Sequence, residues 1–412
     1  MHVISATPWH FADLTGREAF GTLAATSDGR LAHRLLDLLR RESSAGLAAC
    51  GSVRGGRPPH PSDLAPLLLL DDLPDLVRTL EARSRSALEL LGAVLRAGSG
   101  AGLAIAASAA PGSLGREVSA YLPQRLVLAG GDATIAVADG VPRALAGVPA
   151  HPGRGVWLGV QPAVLTQVAQ ATTALLRPVA PPIAAPGTGT RPAPVRLRPL
   201  PADAGTPPVR WRAIMSPALG LGGDCAEPVT VDLSDGCFLA VGPPRSGRST
   251  TLAVLAAALL EQRAEALIVT RRGPLLALAR SGVGARTTVT DRPTTDHLAR
   301  AGLIVLDDLD DLERRDPDWL EAVCARRLTE GTPGPIVLAS ATTERAALSF
   351  RGLLGELRRA GCGVVLGADA PGSGEVFSTR IEAHVDDHAD HPGRGVLLDR
   401  GGAVPLQVFR AL

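Results

Sequence analysis

The chain contains no lysine and no asparagine, so all 42 of its basic residues are arginines. Ala, Gly, Pro, Arg and Leu dominate, which fits a coding bias towards GC-rich codons rather than selection for arginine chemistry. Net charge is also lacking. Against those 42 cations stand 41 carboxylates, for a formal charge of +1, which excludes an overall basic field that would concentrate nucleic acid and leaves room only for a local patch. Cysteines are few, odd in number and scattered (Cys50, Cys225, Cys237, Cys324, Cys362), with no CxxC spacing. That pattern argues against a disulfide framework or a zinc site and makes a reducing cytoplasm the expected compartment. Met1 leads straight into a mixed segment rather than a signal peptide. No apolar run approaches the roughly 18–20 residues that span a bilayer. Membrane association is expected only through a partner or a missing segment.

The most informative feature present is a repeat. His-Pro-Gly-Arg-Gly-Val occurs at His151–Val156 and again at His391–Val396. Each copy lies downstream of an apolar run closed by two aspartates, Leu67–Leu70 before Asp71-Asp72 and Leu303–Leu306 before Asp307-Asp308. The first aspartate precedes the histidine by 80 positions in one half and 84 in the other. Two landmarks in the same order at nearly the same spacing mark a duplicated domain. A Pro/Ala/Gly-rich stretch reads as a linker between the copies. The expected organisation is a first module over 1–176, a linker over 177–208 and a second module over 209–412.

On either side of the linker, strand-like apolar runs alternate with helical patterns, as in βα units with a mostly parallel sheet. In the second half, strands are expected at Cys237–Val241, Ala266–Thr270, Leu303–Leu306, Ile336–Ser340, Gly363–Gly367, Gly395–Leu398 and Val404–Phe409. Helices are expected at Ser249–Gln262, Asp318–Leu328 and Thr343–Arg359. In the first half, strands fall at Val3–Ser5, Leu67–Leu70, Leu103–Ser108, Leu126–Leu128, Val156–Leu158 and Val164–Val168, with helices at Leu31–Arg41 and Leu80–Arg96. The first half thus holds the later parts of the second. Its counterparts of the strand Cys237–Val241, of the Gly-rich loop and of the following helix are missing. A module without its central strand exposes core, which predicts that Met1 is not the natural start or that an upstream segment was lost.

That loop is Gly242-Pro243-Pro244-Arg245-Ser246-Gly247-Arg248-Ser249-Thr250. It fits GxxxxGK[ST], except that Arg248 stands for Lys. Glycines let backbone N–H groups wrap a phosphate chain, and the helix N-terminus adds a favourable dipole. Ser249 is placed to ligate Mg²⁺, with Thr250 beside it. Arg248 keeps the positive charge, but its bulkier fork is not interchangeable with an ammonium. A plain Gly/Pro turn is the competing reading; the strand before, the helix after and the acidic strand end about 60 residues on favour a P-loop. Asp307, at the end of a buried apolar strand, then belongs to the Mg²⁺ shell, and Asp308 to the attacking water. An acidic N-cap is the plainer alternative for that pair. Ser340 is a candidate sensor of the γ-phosphate, or else a strand-end cap. In the first half, Asp71, Asp72 and Ser108 hold the matching positions without a phosphate cradle, as in a vestigial or truncated site.

The hexapeptides read first as turns, since Pro fixes φ and each Gly relaxes it. A functional reading has Arg154 and Arg394 reaching a neighbouring module's nucleotide or a peptide. His384, His388 and His391 with Asp386, Asp387 and Asp390 fit no standard metal spacing and read as a solvated loop.

P-loop, DD strand end and late PGRG turn together resemble the FtsK/SpoIIIE branch of P-loop motor ATPases. The tandem arrangement is similar to the C-terminal ATPase modules of actinobacterial FtsK/SpoIIIE-type proteins and of the type VII secretion ATPase. Leu219–Gly223 through Val229–Leu233 is similar to that family's module opening, and the resemblance covers nearly the whole chain apart from the linker. It implies an α/β fold of tandem RecA-like P-loop NTPase modules with parallel-sheet cores, the first lacking its P-loop. It implies ATP and Mg²⁺ as cofactors, and a homo-oligomeric ring or larger ATPase assembly. The implied cargo is DNA or a secreted protein's export signal. Two departures, Arg248 for Lys and Asp308 for the usual Glu, imply weak or absent hydrolysis and a docking or regulatory role. An active ATP-driven DNA translocase and a scaffold without nucleotide stay open as alternatives.

Overall fold

In a computed structural model of the chain, residues 1–52, 66–83, 85–98, 103–159, 161–169, 194–207, 215–260, 265–271, 273–281, 287–327, 334–368, 370–379, 381, 391–399 and 402–411 are described, the side chains of 43–52 and 116–117 excepted. The chain divides into two compact units, Met1–Arg196 and Leu197–Leu412.

Among its described residues the first unit holds seven strands: β1 (His2–Ser5), β2 (Leu23–Ala25), β3 (Leu67–Asp71), β4 (Ala104–Ala107), β5 (Arg125–Leu128), β6 (Arg154–Leu158) and β7 (Val164–Gln167). They form two separate sheets. One is four-stranded, in the order β2-β1-β3-β4, and every pair is parallel. The other is the antiparallel β5-β6-β7. The core around the parallel sheet includes Ile4, Leu35, Leu68, Leu76 and Leu91, all within 1% of full burial. The helix expected at Leu31–Arg41 spans Gly29–Ser52. The helix expected from Leu80 instead begins at Leu73, right after the two aspartates, and a second helix covers Arg85–Gly98.

The second unit carries β8 (Ala218–Gly222), β9 (Glu227–Thr230), β10 (Cys237–Val241), β11 (Ala266–Val269), β12 (Thr287–Thr290), β13 (Leu303–Leu306), β14 (Ile336–Ala341), β15 (Gly363–Leu366), β16 (Arg394–Asp399) and β17 (Gly402–Val408). One sheet takes them all, in the order β12-β11-β13-β14-β10-β15-β16-β17-β8-β9. Pairs from β12 to β15 are parallel and those from β15 to β9 antiparallel. In parallel sheets covered on both faces, strands read as continuous apolar runs rather than alternating ones. That is why CFLAV, ALIV, LIVL and GVVL are buried along their whole length.

The helix Arg248–Leu260 is likewise buried at every position from Thr251 onward. Its sequence TLAVLAAALL has no polar face, as suits a helix enclosed on all sides. The long helix expected over Thr343–Arg359 is two helices, Thr343–Leu348 and Gly352–Ala360. The chain turns at Ser349–Arg351, and Gly352 takes φ +64°, which interrupts helical geometry.

The seven described strands of the first unit each have a counterpart among the ten of the second, where β8, β9 and β10 are additional. β2-β1-β3-β4 repeats the order β12-β11-β13-β14, and β5-β6-β7 repeats β15-β16-β17. β10 has no counterpart in the described part of the first unit, and the sheet is divided at that point.

Candidate functional site

β10 sits between β14 and β15, where successive connections run to opposite sides, and open α/β sheets bind ligands outside the carboxyl ends of strands at such a point. The loop Gly242–Gly247 leaves β10 there and enters the helix that starts at Arg248. Arg245 takes φ +68° and Gly247 φ +103°, so the loop is wound tightly. Two of its glycines are required by close approach. A Cβ on Gly242 would lie 2.4 Å from Ser246 Oγ, and one on Gly247 would lie 2.8 Å from the backbone nitrogen of Gly393.

The second contact gives the repeated hexapeptide its place. Gly393 N–H donates to Ser246 O at 2.7 Å, so the turn His391–Arg394 clasps the loop. Arg394 itself is 1% exposed. Its guanidinium donates to Gln407 Oε1 (3.0 Å), Leu200 O (3.2 Å) and Pro201 O (2.8 Å). The reading in which Arg394 reaches a neighbour's nucleotide is therefore corrected: the side chain is spent inside the unit, holding the segment before β8. Arg154 is half-buried in the first unit. Of the histidine-rich stretch, His384, His388, Asp386, Asp387 and Asp390 lie outside the described residues. No cluster of three metal-ligating side chains occurs among the described residues.

β13 delivers Asp307 to the foot of the loop. Ser249 Oγ donates to both of its carboxylate oxygens, at 2.9 and 3.1 Å. Thr270 Oγ1, at the end of β11, adds a bond of 3.1 Å, and Ser340 Oγ, in β14, one of 2.9 Å. Asp308 turns out of the strand in left-handed backbone, φ +55° and ψ +58°, with its N–H on Ser340 Oγ at 2.9 Å. Its side chain makes no N-cap bond. Instead Arg248 Nη2 meets Asp308 Oδ1 at 2.9 Å, the arginine side chain 12% and the aspartate 52% exposed. Burial pushes the Asp308 carboxyl above the ordinary carboxylate range. Arg248 opposes this, while the negative charges of Asp307, Asp310 and Asp311 reinforce it.

The expected site residues are thus brought together, with a division of labour that the sequence does not display. Arg248, Ser249, Asp307, Asp308 and Ser340 form one bonded network. Ser340 is fully buried behind Asp307, and both bonds of its hydroxyl go to the aspartate pair. These two bonds brace the pair. Pro244 and Arg245 are exposed at the loop's tip, and Thr250 is half-buried in the helix's first turn. Sequence reading missed Thr270; its signal was a hydroxyl closing the apolar run ALIV. A cavity of about 350 Å³ opens beside it, lined by Arg271, Asp291, Asp307, Asp308, Asp311 and Arg315.

Two buried polar atoms bear on whether a phosphate group fits. Ser246 Oγ and Arg248 Nη1 have no hydrogen-bond partner among the described residues. Buried donors left unsatisfied at a loop of this shape suit an anion. A hydroxyl and a carboxylate in contact, Ser249 and Asp307, are the donor types with which Mg²⁺ joins substrate phosphates while keeping its waters.

The first unit repeats the aspartate network without the loop. Asp71 accepts from Ser5 (2.7 Å), Ser108 (2.7 Å) and Thr7 (3.3 Å). Asp72 N–H meets Ser108 Oγ at 2.9 Å, again with left-handed φ, +62°. The hydroxyls of Ser5 and Ser108 hold the Asp71 carboxyl below its usual range, against a smaller opposing effect of burial.

No protein-family model matches the chain, and no curated protein matches it either. Solved structures do. Against EssC (ATPases 2 and 3) from Geobacillus thermodenitrificans the TM-score is 0.62 at 15% identity, over 99% of this chain and 84% of that one. Against Thermomonospora curvata EccC (ATPases 2 and 3) in complex with a signal sequence peptide it is 0.58 at 17% identity, over 99% and 82%. The cytoplasmic domain of the same organism's type VII secretion ATPase EccC gives 0.53 at 17%, over 99% of this chain and 53% of that one. Over its whole length, then, the chain has the α/β fold of tandem RecA-like ATPase domains, the fold of EssC and EccC.

Proposed function

We propose that the second unit binds ATP with Mg²⁺ and hydrolyses it slowly or not at all, and that the chain serves as a docking or regulatory part of a translocation machine of the type VII secretion kind. The Gly242–Gly247 loop and Arg248 would hold the phosphates, and Ser249 and Asp307 the metal. Mg²⁺ when bound supplies charge neutralisation of the phosphates. The observation that carries the reading is the Arg248–Asp308 ion pair beside an otherwise complete loop and aspartate network. The acid in place to orient a water is one methylene shorter than glutamate, and a guanidinium holds it.

The expected modules (1–176 and 209–412, joined by 177–208) remain part of this proposal. A secreted protein's export signal is the favoured cargo, since EccC was solved with a signal sequence peptide and the present chain has little net charge to attract DNA. Calorimetry with ATP and Mg²⁺, paired with phosphate release, tests it. We expect Mg²⁺-dependent binding with turnover near background, raised in an Arg248→Lys/Asp308→Glu double variant. Absence of binding refutes the reading in favour of the scaffold, and DNA-stimulated turnover refutes it in favour of the translocase.

A further inference from the structure

The turn His391–Arg394 faces two ways. On one side Gly393 N–H donates to Ser246 O, on the Gly242–Gly247 loop, at 2.7 Å. On the other, the buried Arg394 guanidinium donates to Leu200 O (3.2 Å) and Pro201 O (2.8 Å). Between these contacts the turn is locked. Arg394 N–H donates to His391 O (2.9 Å) and Val408 N–H to Gly393 O (2.9 Å). Gln407, 2% exposed, joins both halves: its Nε2 donates to Pro392 O (2.9 Å) and its Oε1 accepts from Arg394 Nε (3.0 Å). Close-packed groups transmit displacement rather than absorb it, so a shift of Arg394 is passed to Ser246 with little slack.

The segment that Arg394 holds, 197–207, contains no helix or strand. Its further moorings in the second unit include Arg198 N–H on Asp224 O (2.8 Å), Arg410 N–H on Gly205 O (2.7 Å) and the Arg410–Asp203 ion pair. Leu197 and Leu200 are buried. β10 and β14, by contrast, are buried at every position and paired on both sides. A segment without a hydrogen-bonded ladder opens at lower cost than such strands, so it can undock while the sheet stays folded. The first unit offers a comparison. Its turn keeps the bond from Gln167 Nε2 to Pro152 O (2.8 Å), but among the described residues it has no loop to clasp, and Arg154 donates no side-chain hydrogen bond. Loop and mooring occur together in one unit and are absent together from the described part of the other.

We propose that 197–207 is a regulatory strap: docked, it holds the Gly242–Gly247 loop ready for nucleotide, and undocked, it lets the loop relax. This rests on the reading that the loop binds ATP. The direction follows from the loop's unmet donors. Ser246 Oγ and Arg248 Nη1 are buried without a partner among the described residues, which suits an anion only while the loop is held in its tight winding. Release of Leu200 and Pro201 leaves a buried guanidinium two acceptors short, and a charge so stranded moves towards water. The turn moves with it, and Gly393 leaves Ser246. Such coupling is reciprocal, so bound nucleotide tightens the strap by the factor by which the docked strap tightens nucleotide. A pull on the chain ahead of Leu197 is thereby felt at the nucleotide site.

The test follows hydrogen exchange in the full chain by mass spectrometry, first without nucleotide. Leu200→Asp places a charge where a buried leucine anchors the strap, and it alters neither loop nor turn. It is expected to speed exchange in 242–250 and 391–394 about fivefold or more, with 336–341 unchanged as the sign of an intact sheet. Where 336–341 loosens too, Arg198→Pro replaces it, since proline removes the N–H on Asp224 O from an exposed position. Fast exchange in 197–207 with 242–250 unaltered overturns the proposal. Calorimetry with ATP and Mg²⁺ forms the second arm. Wild type is expected to bind about fivefold or more tightly than the variant, and saturating ATP to slow exchange in 197–207. Equal affinity in wild type and variant overturns the strap and leaves the ATP reading standing. No binding by the wild type overturns the ATP reading, and the regulation with it, whatever the exchange arm shows.

Discussion

If the loop binds nucleotide as proposed, Arg248 must exchange Asp308 for a phosphate, and the two substitutions that expose this exchange act in opposite directions. Asp308→Asn removes the ion pair and leaves the arginine free to turn. The pair joins a nearly buried guanidinium to a carboxylate that is 52% exposed, so solvent screening limits it to about 0.3–1 kcal/mol. Nucleotide that must break it gains that amount in the variant, or about two- to fivefold in affinity. Arg248→Ala removes a charge-assisted bond to phosphate worth about 1.5–3 kcal/mol, so affinity falls by about 10- to 150-fold. Calorimetry with ATP and Mg²⁺ on the three proteins reads both effects. Asp308→Asn weakening binding as much as Arg248→Ala does would refute the competition, because it would mean that Asp308 assists the bound state. The raised Asp308 carboxyl adds a sign that can be checked. An acid bound more tightly by protons when folded stabilises most at low pH, and that contribution is lost as pH rises through its folded value. The melting temperature of Asp308→Asn relative to wild type is therefore expected to climb as pH is raised through that range. A flat difference would count against it.

Other expectations follow from the same contacts. Gly247→Ala drives a methyl group against Gly393 N in left-handed backbone; urea titration is expected to show a loss of about 1–3 kcal/mol together with weaker nucleotide binding. Ser340→Ala strands the Asp308 N–H and frees Asp307 on one side. It should cost about 1–3 kcal/mol in the same titration, and substitution by Thr should restore most of it. Arg394→Met leaves the carbonyls of Leu200 and Pro201 without their donor, so limited proteolysis is expected to cut 197–207 faster than in wild type. Burial pushes the thiols of Cys324 up to about 11 and Cys362 up to about 12, and raises Cys237. Iodoacetamide at pH 8 should spare all three in the native protein and label them in urea.

How much of this was legible in the sequence depends on whether a residue's role is set by its neighbours along the chain or by its neighbours across the sheet. Cys237–Val241, Leu303–Leu306 and Ile336–Ala341 could be read directly, because strands buried on both faces are written as unbroken apolar runs. The loop was legible for a similar reason: its glycines answer to close contacts that any occupant of the position must satisfy. Thr270 was not, since nothing near it in sequence says that β11 lies beside β13 and brings its hydroxyl to Asp307. The break at Ser349–Arg351 was missed because helical periodicity runs through it, although the backbone turns extended at Ser349 and Gly352 takes a positive φ.

The hexapeptide is the most instructive case. Local chemistry identified it as a turn, and so it is. What sequence could not supply was the object that the turn holds. In one unit Gly393 N–H meets Ser246 O, and Arg394 is sunk into the segment at Leu200–Pro201. In the other, the same turn with the same internal bonds stands at Gly153, with no P-loop among the described residues to clasp. A turn that existed only to reverse the chain would need Pro and Gly, but not a glycine whose amide points at a neighbouring loop. Its retention in the same unit as the Asp71–Ser108 network means that both features repeat the module plan of the second unit, each kept with its own internal bonds.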